Sequence, residues 1–178
     1  MKNFSFSIIA ASFFLLLSCS TDDGDLNVDP ANLTGTWNLV NMTTQNGQAI
    51  VTEDGVTISV DFSLETSNEN LRIMISENPN VISSEGSFTQ RTTITAIGQT
   101  ETEESVIEGV FLDGAWELNG DNLIITSGDD MLEEFSPSFE ITRLTDTELE
   151  IRQNLNQNIT LEGTNVQASG ILIINFNR

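Results

Sequence analysis

The chain has 178 residues, with 27 Asp and Glu against 6 Lys and Arg, a formal net charge of −21 and a pI near 4.1. It contains no histidine, no tyrosine and one cysteine. These counts exclude Ser-His-Asp and Cys-His catalysis and imidazole-bound zinc. Lys2 is the only lysine, so Schiff-base chemistry and a Walker-type phosphate loop also go once the N-terminus is processed. Nucleic acid is excluded as a partner, because counterion release needs clustered cations and only Arg72, Arg91, Arg143, Arg152 and Arg178 remain, scattered along the chain. The length fits one domain with one core.

In chain order, Lys2 is followed by an apolar run from Phe4 to Leu17, broken only by Ser and Ala. A run of about 14 residues is too short to cross a ~30 Å hydrocarbon core comfortably, so residues 1–18 are expected to be a secretory signal. The run ends in Leu16-Leu17-Ser18-Cys19. This resembles the lipobox of bacterial lipoproteins, with Leu17 where a small or β-branched residue is usual. The resemblance implies cleavage before Cys19, acylation of Cys19 and anchoring in the outer membrane, at the cell surface or on the periplasmic face. It gives the lone cysteine a role as attachment point. Residues 19–32 then read as the lipidated cysteine and an acidic flexible tether, and residues 33–178 as the folded domain.

From Leu33 onward the hydrophobic period is two. Leu33–Asn41 predicts a first strand, and Gln45-Asn46-Gly47-Gln48 a reversal. Val56, Ile58, Val60, Phe62 and Leu64 alternate with Thr57, Ser59, Asp61, Ser63 and Glu65, which makes a half-buried strand with one dry and one wet face. Further strands are expected at Leu71–Ser76, Ser87–Ile97, Ser105–Leu112, Ala115–Leu118, Leu123–Thr126, Phe139–Leu144, Glu148–Leu155 and Ser169–Asn177. Asn78-Pro79-Asn80 marks a turn. Asn119-Gly120-Asp121-Asn122 and Thr145-Asp146-Thr147 mark tight hairpins. The expected fold is all-β, an antiparallel up-and-down barrel of about eight to ten strands, with a β-sandwich as the alternative. Sequential hairpins favour the barrel, and so does closure, which removes strand edges.

Gly35-x-Trp37 at the start of the first strand looks like the entrance motif of the lipocalins. The segments Trp116–Ile125 and Phe139–Ile151 are similar to hairpins of bacterial lipocalin-like lipoproteins. The resemblance spans residues 33–177 and implies a barrel whose closed end is plugged by Trp37 beneath an arginine; Arg143, Arg152 and Arg178 are the candidates. Two departures set the chain apart from the secreted branch of that family. The second family motif has no clear counterpart, and no helix follows the last strand. Gly114-x-Trp116-x-Leu118 repeats the spacing of Gly35-x-Trp37-x-Leu39, and both tryptophans are expected to be core plugs.

Among reactive groups only carboxylates are plentiful. Asp129, Asp130, Glu133 and Glu134 share one loop, but Met131 and Leu132 break the ligand spacing that calcium asks for, and no metal or cofactor is expected. Glu101, Glu103, Glu104 and Glu108 fall at an exposed strand edge without an opposed partner, so glycoside hydrolysis, and catalysis generally, is not expected. What remains is binding. Val56, Ile58, Val60, Phe62, Leu64, Leu71, Ile73, Ile75, Trp116, Phe139 and Ile141 are the expected inward set, able to line a cavity for a small hydrophobic ligand. The same residues could instead fill the interior, leaving a structural adaptor for other envelope proteins. A dry pocket above ~300 Å³ discriminates the first reading from the second.

Overall fold

The computed structural model describes residues 28–53, 55–109, 111–126, 138–161 and 164–178. It begins with a single helical turn, α1 (Pro30–Leu33), whose N-cap Asp29 accepts a hydrogen bond from Ala31 N. Eleven strands follow: β1 (Gly35–Glu53), β2 (Val56–Ser67), β3 (Arg72–Ser76), β4 (Val81–Glu85), β5 (Ser87–Ala96), β6 (Gln99–Glu108), β7 (Gly114–Asn119), β8 (Asn122–Thr126), β9 (Ser138–Leu144), β10 (Glu148–Leu161) and β11 (Thr164–Asn177). All pairings are antiparallel. The sheet order is β11-β10-β9-β8-β7-β4-β3-β1-β2-β5-β6, and a further β11–β1 pairing closes β1, β3, β4, β7, β8, β9, β10 and β11 into an eight-stranded barrel. The barrel expectation therefore holds, and the sandwich does not.

Three strands stand outside the ring, and their register explains why. The first residues of β1, Gly35–Asn38, pair with β3, whereas its later part, Thr43–Glu53, pairs with β2. In the same way β4 pairs with β3 while β5 pairs with β2. β7 pairs with β4, while β6 pairs with β5. The couples β2/β3, β4/β5 and β6/β7 are thus three passes of the chain, each broken once. With β1, β8, β9, β10 and β11 they give eight passes in up-and-down order. Gly86 makes one of the breaks. Its φ of +102° lies where an L side chain is strained, and a Cβ there would run into the Asn70 carbonyl oxygen. The break between β6 and β7 is clamped by Asp113, which accepts from Ser84 N at 2.6 Å and Ser84 Oγ at 2.8 Å. Ser84 Oγ in turn accepts from Phe111 N at 2.8 Å. Phe111 then meets Phe88 edge-on, with ring centroids 5.4 Å apart, a favourable quadrupole arrangement.

The consequence is a molecule with two unlike ends. At one end lie α1 and the turns 77–80, 120–121 and 145–147, where the barrel is closed. At the other the long hairpins β1–β2, β5–β6 and β10–β11 run on past the ring as a flared sheet, β10-β11-β1-β2-β5-β6. The core fills the closed half. Leu33, Trp37, Leu71, Ile73, Ile75, Ile82, Leu123, Phe139, Ile141, Leu149, Ile151, Ile174 and Phe176 are all buried in one cluster, each contributing about 1.5–3 kcal/mol by leaving water. Among the described residues no polar or charged side chain is fully buried.

The sequence expectations need correction in places: the strand expected at Ser105–Leu112 is β6, Gln99–Glu108, and ends before Phe111 and Leu112. Gln45-Asn46-Gly47-Gln48 is not a reversal; it is an irregularity inside β1, where the register shifts against both β2 and β11. Gly47 allows this because a Cβ there would collide with the carbonyl oxygen and ring of Phe62 on the facing strand. β4 has no signature in the sequence pattern, since Val81-Ile82-Ser83-Ser84-Glu85 offers only two apolar residues and forms by pairing with β3. The two hairpins read from turn chemistry are present, β7–β8 across Gly120-Asp121 and β9–β10 across 145–147.

Candidate functional site

The closed end is built around Trp37. Its indole Nε1 donates to Leu33 O at 2.8 Å, which ties the first strand to α1. The Arg178 guanidinium lies over the ring, 4.2 Å from the centroid. It donates to three backbone carbonyls, Thr34 O at 2.9 Å, Asn32 O at 3.2 Å and Asp146 O at 2.6 Å. Of the three candidate arginines, then, Arg178 covers the plug. Arg143 and Arg152 instead form surface ion pairs with Glu148 and Glu150. Trp116 is likewise buried, and its Nε1 donates to Ser76 O at 2.9 Å. Both tryptophans satisfy their one donor on backbone, as a core plug must.

The eleven residues expected to line a cavity do not lie together. Leu71, Ile73, Ile75, Trp116, Phe139 and Ile141 are packed in the core of the closed half, none more than 5% exposed. Val56, Ile58, Val60, Phe62 and Leu64 belong to the flared sheet, where Val56 is exposed and the other four are half-buried. Register extends that second group across the sheet. Val51 faces Ile58 and Ala49 faces Val60 on one side, and Ala96 and Ile94 face Val60 and Phe62 on the other. Across β1, Val166 and Ala168 of β11 pair with Val51 and Ala49. Directly opposed residues of an antiparallel pair share a face, so these side chains form one apolar surface. It is continuous with the core, because Leu64 and Leu172 on the same face pack against the core cluster.

This surface is left open. Of the seven large hydrophobic residues exposed among those described, Val56 and Ile94 lie on it, Ile97 tips the β5–β6 hairpin, and Ile50 and Val106, opposite Ser59 and Thr89, lie on the other side of the flared sheet. Exposed apolar patches of this kind mark interaction sites in soluble proteins. The recesses around the barrel wall are different in character. One of about 340 Å³ is lined by Thr36, Arg72, Met74, Ser83, Ser84 and Glu85, and one of about 540 Å³ at the β1 irregularity is lined by Gln48, Asp61, Ser63 and Ser169 among others. Both carry charged and hydroxyl side chains (Arg72, Glu85, Ser83 and Ser84 in the first, Asp61, Ser63 and Ser169 in the second) rather than a continuous apolar lining. Sequence alternation found the β2 part of the apolar face. It missed Ala49, Val51, Ala96, Val166 and Ala168, because Ile50 blurs the alternation around Ala49 and Val51, Ile97 does the same beside Ala96, and Val166 and Ala168 stand alone among Asn, Gln and Ser.

Among the described residues no group of three or more Cys, Asp or Glu is placed to hold a metal ion. The acidic loop 129–134 and Cys19 lie outside the described residues. Glu101, Glu103, Glu104 and Glu108 are all exposed on β6, the last strand of the sheet order.

A closed antiparallel barrel of eight strands, plugged by a Gly-x-Trp tryptophan under an arginine, defines a class of proteins built around an apolar interior. The family model for the lipocalin-like domain matches residues 33–151. The chain belongs to the family of lipocalin-like domains, a group consisting mainly of binding proteins without catalytic activity. The matched segment ends in β10, and β11 then closes the barrel against β1. A search of curated proteins returned no match.

Proposed function

We propose that this protein is a non-catalytic carrier that binds a small hydrophobic molecule on the open inner face of its flared sheet. One observation supports this above the others: the core-facing side of the barrel continues past the ring as an apolar surface, with Ile94 45% and Val56 62% exposed. A fold that only had to be stable would end its apolar face where the second layer ends. The test is a titration with Nile red, a neutral apolar dye. Saturable fluorescence that Ile94→Asp and Val56→Asp both abolish, without change in melting temperature, supports the reading. Dye binding untouched by either variant overturns it.

The N-terminal segment extends the proposal. Residues 1–18 serve as a lipoprotein signal, Cys19 as the acylated anchor, and the outer membrane as the location. Two or more acyl chains, at about 0.8 kcal/mol per buried methylene, hold a protein at a bilayer durably. The chain enters the barrel at the closed end, beside Trp37. β1 then runs 19 residues to the opposite end, about 60 Å at strand rise. A protein tethered through Cys19 therefore carries its apolar face away from the bilayer to which it is attached. Cys19→Ala is expected to shift the protein from the membrane fraction to the soluble fraction; retention at the wild-type level removes the anchor.

A second reading, an adaptor for other envelope proteins, is favoured by the outer edge of β6, unpaired among the described residues, and by the solid packing of the closed half. Failure of the dye titration together with an envelope partner cross-linked through β6 supports it.

A further inference from the structure

The open face has a chemical asymmetry that follows from register. Phe62 lies opposite Ile94, and Ile94 opposite Glu101; Leu64 lies opposite Thr92, and Thr92 opposite Glu103. Glu101 and Glu103 therefore stand on the same side of the sheet as the apolar surface and form its β6 border. Both are exposed. Their neighbour Glu104 points to the other side, where Arg91 pairs with it at 2.6 Å. Among the described residues neither Glu101 nor Glu103 has such a partner. The far border, on β10, has Gln153 and Leu155 in the corresponding positions.

A third observation comes from the β5–β6 turn. Ile97 and Gly98 both have positive φ, 52° and 74°, and Ile97 is 84% exposed. A two-residue turn with two left-handed positions favours Asn-Gly, and a β-branched residue there is strained. The fold gains nothing from isoleucine at this tip. Its exposed side chain adds apolar area at the tip of the β5–β6 hairpin.

We infer that the face takes a cationic amphiphile. Its aliphatic or aromatic body lies over Ile58, Val60, Phe62 and Ile94, and its protonated amine or quaternary ammonium head meets Glu101 and Glu103. The rung from Phe62 to Glu101 crosses two strand spacings, about 10 Å, the length of a chain of about eight carbons. Carboxylates at one border select for a positive head and against a fatty-acid carboxylate or an anionic lipid surface. This inference rests on the reading of the apolar face above and adds the charge of the ligand.

The test is equilibrium dialysis of the full chain against n-decylamine, 1-decanol and decanoate, all below micelle formation, at pH 7. Decylamine is expected to bind saturably and about fivefold more tightly than decanol, the scale of exposed charge pairing, with decanoate weakest. Glu101→Gln combined with Glu103→Gln should bring decylamine down to decanol and leave decanol unchanged. Ile94→Asp should weaken decanol binding. If all three compounds bind equally and Ile94→Asp weakens them together, the head-group inference fails while the apolar site stands. A preference for decylamine that survives the double variant also overturns it. If decanol and Nile red both fail to bind, the apolar site itself is lost.

Discussion

Trp37 shows how a single side chain can set one end of a barrel. It is buried, its donor is spent on Leu33 O, and its ring carries the Arg178 guanidinium. Trp37→Ala removes the largest plug and leaves a cavity that α1 cannot collapse to fill, so urea unfolding should show a loss of about 3–5 kcal/mol. A loss below about 1 kcal/mol would contradict the plug. Glu150 offers a second residue-scale test. Its carboxylate accepts from Thr142 Oγ1 at 2.6 Å and from Arg152 Nε at 3.0 Å. The Thr142 hydrogen bond, helped by Arg152 and Arg143, outweighs partial burial and holds the carboxyl below its usual range. A folded pKa below the unfolded one stabilises the fold above the ordinary carboxylate range, and that stability disappears as pH falls through it. The stability difference between wild type and Glu150→Gln should therefore shrink as pH falls from 6 to 3. A difference constant over that range would show that the carboxylate is not held ionised.

At the scale of elements, broken strands decide the shape. A straight run from Val56 to Ser76 would carry every residue of β2 and β3 in one register along β1. Asn68, with φ of +53°, interrupts it, and Gly86 interrupts the next pass. Each interruption lets a short segment join the ring while its longer continuation leaves it. The β5–β6 hairpin is the least optimised piece. Ile97→Asn relieves a β-branched side chain in the left-handed region and removes an exposed apolar group, and should stabilise the protein by about 1 kcal/mol. Thermal melts measure this directly. An unchanged or lower melting temperature would mean that Ile97 packs against something in the folded protein.

For the molecule as a whole, charge sets the conditions of stability. All five arginines are engaged: Arg72, Arg91, Arg143 and Arg152 with glutamates, and Arg178 with backbone carbonyls and Trp37. The pairs of Arg72, Arg91 and Arg143 are solvent-exposed and contribute little each, while Arg152 pairs with the partly buried Glu150. With a formal net charge of −21, the compact state repels itself, and monovalent salt should raise the melting temperature as the Debye length falls to ~10 Å at 0.1 M. Calcium and magnesium at equal ionic strength should act alike. A saturable rise specific to calcium, lost in Asp129→Asn with Asp130→Asn, would instead reveal a calcium site in that loop.

Alternation and turn chemistry in the sequence were enough for an all-β domain, the dry face of β2 and the β7–β8 and β9–β10 hairpins, while Trp37 as the closed-end plug came from the resemblance of Gly35-x-Trp37 to the lipocalin entrance motif. These features are local: a period of two and a Gly-Asp turn depend on neighbours within a few residues. Which arginine covers Trp37 was not local, since Arg178 reaches Asn32 and Thr34 only once β11 has paired with β1. Nor could the pattern separate Ile73 from Ile58. Both alternate in the same way, yet Ile73 faces a packed interior while Ile58, on the same inner side, lies beyond the ring where no second layer covers it among the described residues. Alternation specifies which side chains share a face. Only strand pairing decides whether another layer covers that face, and in this protein that difference separates the core from the candidate binding surface.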